Sequence, residues 1–167
     1  MKTKNRKTKK RKGDIRSADP LKSIRTGTDP ALSTVCKPVE PGEDISEITK
    51  LMRYILLNVE HAVGLSANQL GFDKRVIAIL WYGEVVIMIN PEITGSSDEQ
   101  VAGNEGCLSY PDKTREIIRS RWVDVTWLDE DGFHCAEMFG TKDLGAVKLL
   151  HEVDHLDGIC RVSGGRK

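Results

Sequence analysis

His151-Glu152-Val153-Asp154-His155 is the stretch of this 167-residue chain whose residue types and spacing most directly imply chemistry. On an α-helix, residues four apart share a face, so His151 and His155 can hold one divalent cation. Glu152 is offset so as to reach a water at that cation. A catalytic centre of this kind takes three protein ligands and keeps one position open. No Glu follows His155, and position 161, where an HExxHxxGxxH pattern would put a third His, is Arg161. The third ligand is therefore expected upstream, among Cys36, His61, Cys107, His134, Cys135 and the acids. Cys107 is distinguished by its setting, Glu105-Gly106-Cys107-Leu108-Ser109-Tyr110-Pro111. A Gly before it permits tight backbone packing and a Pro after it ends the segment. Such a strap can present a thiolate and a backbone N–H to one small site.

Those residues need elements to hold them. Leu144, Val147, Leu150, Val153 and Leu156 recur at helical spacing, which predicts a helix over 143–156 carrying both histidines. Ile45, Ile48, Leu51, Met52, Ile55, Leu56 and Val59 make one apolar stripe and predict a helix over 45–61. Asp44 or Ser46 would cap its start, and Gly64 marks where it has ended. Between the helices, 75–80 and 84–90 read as a hairpin turning at Trp81-Tyr82-Gly83, and 122–128 with 133–139 as a second. Pro20, Pro30, Pro38 and Pro41 make 15–42 an extended segment without a long helix. Helix, several strands, then helix is an α+β pattern with no internal repeat.

Charge divides the chain. Lys plus Arg is 25 and Asp plus Glu is 25, but eight of the bases lie within residues 1–12, where there is no acid. The remainder carries 17 bases against 25 acids. We expect a disordered basic arm over 1–14 and a single catalytic domain over 15–167. No apolar run approaches the roughly 20 residues of a membrane span, and no secretory leader is legible. Cys36, Cys107, Cys135 and Cys160 are scattered without a CxxC, which suits a reducing cytoplasm.

The sequence resembles the peptide deformylases, and three of that family's motifs occur in order. Gly64-Leu65-Ser66-Ala67-Asn68-Gln69 is similar to GxGxAAxQ from its second Gly onward. Glu105-Gly106-Cys107-Leu108-Ser109 is EGCLS in full, and the histidine segment continues through Leu156-Asp157-Gly158 as HExxHxxG. Asp29-Pro30-Ala31-Leu32 before Pro38-Val39 extends the likeness upstream. The resemblance implies an α+β fold with sheets around a central helix bearing the HExxH. It implies Cys107, His151 and His155 as ligands of one divalent metal ion. Ferrous iron is typical of the family, and zinc, nickel or cobalt also suit such ligands.

The implied reaction removes the formyl group from the N-terminal formyl-methionine of new polypeptides, with metal-bound water attacking the formyl carbon. A bound divalent cation brings the pKa of its water from about 15.7 toward about 7. Glu152 then acts as general base and later as general acid. By resemblance, the Gln69 side-chain amide and the Leu108 backbone N–H stabilise the oxyanion. Gly64 and Leu65 would pair with the substrate backbone, and Leu144 and Val147 would line the methionine pocket. Asp154 is expected to form an ion pair with Arg119, and Glu105 to orient its loop. Ala62 and Ser66 depart from the family motif, and the buried Ser66 hydroxyl needs a partner. The final residues, Ser163-Gly164-Gly165-Arg166-Lys167, do not suit the C-terminal helix that docks many bacterial relatives on the ribosome. Short forms of this kind occur among phage-encoded deformylases, so a phage source is one expectation.

Expected partners are N-formyl-methionyl nascent peptides and, through the basic arm 2–12, ribosomal RNA, with no membrane and a monomeric, cytoplasmic enzyme. A solvated solubility tail is the alternative for the arm. A small metallopeptidase and a non-catalytic metal-binding or ribosome-associated protein are the competing readings. The Cys–His–His set with Gln69 weighs against the first, and the intact Glu152 against the second.

Overall fold

A computed structural model describes residues 19–140 and 142–164. The expected basic arm, 1–14, lies outside the described residues. Prolines shape the segment before the first helix, which is not purely extended. Pro20 and Pro30 each open a single 3-10 turn, Pro20–Ser23 and Pro30–Ser33. The fixed φ of proline suits a first helical position, where the missing N–H costs nothing. Asp19 and Asp29 cap the turns by accepting the N–H of Leu21 and Ala31.

Helix α1 is Ser46–Asn58 and buries Ile48, Met52, Ile55 and Leu56. The N-cap position falls on Ile45, which makes no side-chain cap, so neither Asp44 nor Ser46 is the cap; the Asp44 carboxylate instead accepts the Ser46 N–H at 2.9 Å from one residue outside it. The helix stops before residue 61, and His61 takes a left-handed φ of 65° as the chain turns away. Gly64 therefore does not end a helix. It begins strand β1, Gly64–Ser66.

Strand β2 is Val76–Trp81 and β3 is Glu84–Ser96. Their two-residue turn puts Tyr82 and Gly83 at φ of 47° and 86°, the geometry whose twist matches paired strands. β3 runs past the expected residue 90, across Pro91. The pairing shifts register between Ile89 and Glu92, and a bulge is where a strand tolerates a residue without an N–H. Strands β4, Gln100–Cys107, and β5, Tyr110–Ser120, form a separate hairpin that the sequence pattern did not mark as strands. Most of their side chains are exposed, so the alternation that reveals a half-buried strand is missing. Strands β6, Trp122–Leu128, and β7, His134–Gly140, complete an antiparallel sheet of order β1-β2-β3-β6-β7. Helix α2 is Gly145–Leu156, preceded by a 3-10 turn at Lys142–Leu144, so it starts later than the expected residue 143. Leu144 has a φ of 59°, which breaks the turn from the helix. A further turn at Arg161–Ser163 leads toward the end of the described chain.

The sheet lies between the two helices. Val76, Ala78, Ile87 and Ile89 pack in the α1 core. Ile77, Ile79 and Met88 pack with Ala146, Leu149 and Leu156 of α2. Burial on both faces explains why 76–80 is continuously apolar. Filling this second core is what fixes the rotation of α2, since removing a side chain such as Leu149 costs about 2–5 kcal/mol. The α+β architecture expected from the element order is the one observed.

Candidate metal centre and substrate pocket

Packing of Leu149 and Leu156 against the sheet turns the opposite stripe of α2 toward the β4–β5 hairpin. His151 and His155 lie on that stripe with ring centroids 5.0 Å apart. The end of β4 brings Cys107 to them, its Sγ 3.2 Å from His155 Nε2. One ligand atom from each of Cys107, His151 and His155 falls within 4.8 Å of the others. Of the other candidates for third ligand, Cys36 is buried in the α2 core, Cys135 packs at its edge, and His61 is exposed. His134 is exposed on β7. Pro111 does not end the segment. The chain reverses at Leu108-Ser109 and re-enters a strand, with Cys107 opposite Tyr110 across a register shift.

A hydrogen-bonded network holds the histidine face. His151 Nδ1 is 2.8 Å from Glu105 Oε2, which leaves Nε2 for a cation. Arg119 grips Glu105 with two bonds, Nε to Oε1 at 2.8 Å and Nη2 to Oε2 at 2.9 Å. Arg119 also donates to Asp154, the ion pair expected from the sequence, and Arg161 Nε reaches Asp154 Oδ2 at 2.9 Å. Burial alone would raise the Glu105 pKa. The Arg119 guanidinium and His151 outweigh it and hold the carboxyl at about 2. Burial likewise opposes a charged His151, but the bond to Glu105 prevails and raises its pKa. Glu105 thus orients a histidine as well as its loop.

Gln69 lies in a 3-10 turn, Ala67–Leu70, directly after β1. Its Oε1 accepts the Ser66 N–H at 3.0 Å, which fixes the amide so that Nε2 faces Ser109 Oγ at 3.1 Å and Cys107 Sγ at 3.5 Å. The Ser66 hydroxyl lies 2.9 Å from Asn68 Oδ1 and 3.0 Å from Gln69 Oε1, so the buried hydroxyl is partnered. Asn68 Nδ2 donates to the His155 carbonyl and ties this turn to α2.

A cavity of about 460 Å³ opens beside the three donors. Gly64, Gln69, Leu108, Leu144, Val147 and Glu152 line it. Leu65 does not, because its side chain is fully buried in the α1 core. Gly64 has a reason beyond backbone approach. A Cβ there would sit 2.4 Å from Glu152 Oε1. Lys148 also lines the cavity, three residues before His151, where helical spacing could have placed it. Cys160, on the loop after α2, carries no periodic signal and yet contacts Cys107.

The residues fit a divalent cation. A thiolate with two imidazoles suits zinc or iron-group ions, and the cavity side leaves room for an open position. Glu152 Oε2 is buried with no protein partner, which is costly unless a polar occupant meets it. Burial raises the Glu152 pKa, against the nearby histidines. Contact with the Cys160 sulfur, then burial, raises that of Cys107 far above the ordinary thiol range, because two adjacent thiolates repel. A cation at the three donors reverses that preference for Cys107.

Comparison with known proteins gives a single answer. A peptide deformylase of Agathobacter rectalis is 39% identical over 140 residues, which cover 83% of this chain and 85% of the relative. A class I type b peptide deformylase of Acinetobacter baumannii superposes with a TM-score of 0.77 at 31% identity, over 83% of this chain and 95% of the other. The deformylase of a Vibrio parahaemolyticus bacteriophage, solved with actinonin, gives 0.76 at 34% identity, over 82% and 98%. The polypeptide deformylase family model matches residues 21–164, a span that contains the three donors, Glu152 and Gln69, and this chain belongs to that family.

Proposed function

We propose that this chain performs the family's reaction, removal of the formyl group from N-terminal formyl-methionine, through a metal centre and one carboxylate. Cys107, His151 and His155 hold one divalent cation. A divalent cation bound there supplies Lewis acidity, bringing the pKa of a water from about 15.7 toward about 7. Glu152 removes the proton of the attacking water and delivers it to the amine nitrogen as the C–N bond breaks. Formate and a free amine are the products. The observation that carries this assignment is the Glu152 carboxylate, which lines the pocket near three converging donors with its Oε2 buried and without a protein partner. Burial raises the pKa of this carboxylate, which favours its accepting a proton.

Gln69 Nε2 and the Leu108 backbone N–H donate to the developing oxyanion. The Ser66 contacts hold the Gln69 amide before substrate arrives, so little reorganisation is needed. β1 is the edge strand of its sheet, and a substrate backbone adds alongside Gly64 and Leu65 as a further strand. Leu65 acts there through its backbone, while Leu144 and Val147 take the methionine side chain. Ferrous iron is the metal we propose, with zinc, nickel and cobalt compatible with the same donors. We also propose a single domain over 15–167, a monomer working in the cytoplasm, and contact between the basic arm 2–12 and ribosomal RNA. Eight cations within twelve residues support that contact.

The test is an anaerobic assay on formyl-Met-Ala and Met-Ala with metal analysis of the same sample. Formate release from the first, no cleavage of the second and one metal per chain are expected. Cleavage of the unformylated dipeptide would indicate a peptidase instead. For the arm, deletion of 1–14 is expected to weaken ribosome co-sedimentation at low salt more than at high salt, and unchanged binding removes the RNA contact.

A further inference from the structure

Cys160 sits two residues beyond Gly158, on the loop that follows α2. It packs in the same small buried cluster as Cys107 and interacts electrostatically with Cys107 and His155, although it does not belong to the three-donor group. The two cysteines share a small buried cluster with Ile117 and Val162. Both are nearly covered, at 9% exposure for Cys107 and 8% for Cys160. Their access differs. Cys107 lines the substrate cavity, and Cys160 does not. A small oxidant entering the cavity therefore meets Cys107 first, with a second thiol packed in the same cluster away from the cavity.

We propose that Cys107 and Cys160 form a peroxide-reactive dithiol that closes to a disulfide and reversibly withdraws the Cys107 ligand. The oxidant is a hydroperoxide. The Cys107 sulfur attacks one peroxide oxygen, the O–O bond breaks, and the leaving oxygen departs protonated as water when the oxidant is hydrogen peroxide. Cys107 becomes a sulfenic acid. The Cys160 sulfur then attacks Cys107, the S–O bond breaks, and the hydroxide leaves as a second water with the Cys160 proton. Two thiols are oxidised and one peroxide is reduced. Only His151 and His155 remain as ligands, so the cation is released. Without a resolving thiol, Cys107 would continue to the irreversible sulfinic and sulfonic acids. This inference uses the ligand set proposed above but not the reaction.

The experiment treats the full-length, metal-loaded protein with hydrogen peroxide, then alkylates it and maps its peptides by mass spectrometry. A Cys107–Cys160 linked peptide lighter by two hydrogens is expected, with about one metal released per link formed. Dithiothreitol followed by added metal restores the thiols and the metal content. In Cys160→Ser, or Cys160→Val where the serine variant misfolds, Cys107 is expected as sulfinic or sulfonic acid. Metal rebinding after dithiothreitol should then fall at least about tenfold below wild type. Wild-type Cys107 over-oxidised beside an alkylatable Cys160, or linked to Cys36 or Cys135, overturns the proposal. Linkage is read by mass, so an enzyme inactive on formyl-Met-Ala leaves the result intact, and an active enzyme that never links refutes this inference alone.

Discussion

Two buried glutamates flank the same histidine and are driven in opposite directions. Glu105, on β4, is gripped twice by Arg119 and bonded to His151, and its pKa falls to about 2. Glu152, on α2, has an oxygen with no protein partner, and burial raises its pKa. Carboxylates alike in chemistry and depth are thus driven apart, one held as an anion and the other with its charged form disfavoured. Partners make the difference. The β4–β5 hairpin supplies a guanidinium on one side of His151, and the cavity on the other side supplies none. Environments that push two carboxyl groups apart separate the positioning residue from the reacting one.

Substitutions at either glutamate or its neighbours test this contrast. Glu152→Gln keeps the shape and removes the proposed proton carrier, so kcat/KM on formyl-Met-Ala should fall by about 10²–10⁴ with metal content unchanged. Retained activity would abolish the distinction between the two glutamates. Arg119→Met strands Glu105 as a buried unpaired anion and should cost about 3–5 kcal/mol in urea unfolding. Gly64→Ala forces a methyl against Glu152 Oε1. It should lower kcat by about 10²-fold through misplacement while the unfolding midpoint stays close to wild type.

Glu105→Gln addresses the fixed anion and should weaken metal affinity by about 10–100-fold, read by competition with a chelator. The same substitution carries a pH signature. The folded-state pKa of Glu105 lies below its ordinary 4.5, so its contribution to stability is complete above 4.5 and is lost as pH falls through about 2. Unfolding titrations from pH 6 to about pH 2 should therefore lose part of their acid slope in Glu105→Gln. An unchanged slope would show that Arg119 and His151 do not hold that charge.

Helix α2, its two ligand histidines and the β2–β3 hairpin were legible in the residues, because periodicity and turn chemistry are local. The Arg119–Asp154 pair was legible by charge and is present. The β4–β5 hairpin was not, since a two-stranded sheet with most side chains in solvent leaves no alternation to read. Leu65 shows what a motif leaves open. The pleat of β1 sends its side chain into the core, so the backbone is the part of this residue left for the pairing expected of it. Gly64 was singled out for approach of a substrate backbone, whereas the close approach seen in the fold comes from Glu152, 88 residues away in the chain.

Residue identity and local spacing were enough to set the donor types, their order and the helical pairing of His151 with His155. Those depend on side-chain chemistry and the 3.6-residue turn, which no distant contact alters. The folded chain settled which upstream donor joins them, which carboxylate is held ionised and which is raised, and that Cys160 rests against Cys107. Each of these is set by burial and by partners brought from remote strands. Ionisation and reactivity depend on the local dielectric and neighbouring charge, quantities that exist only once the chain has closed around the site.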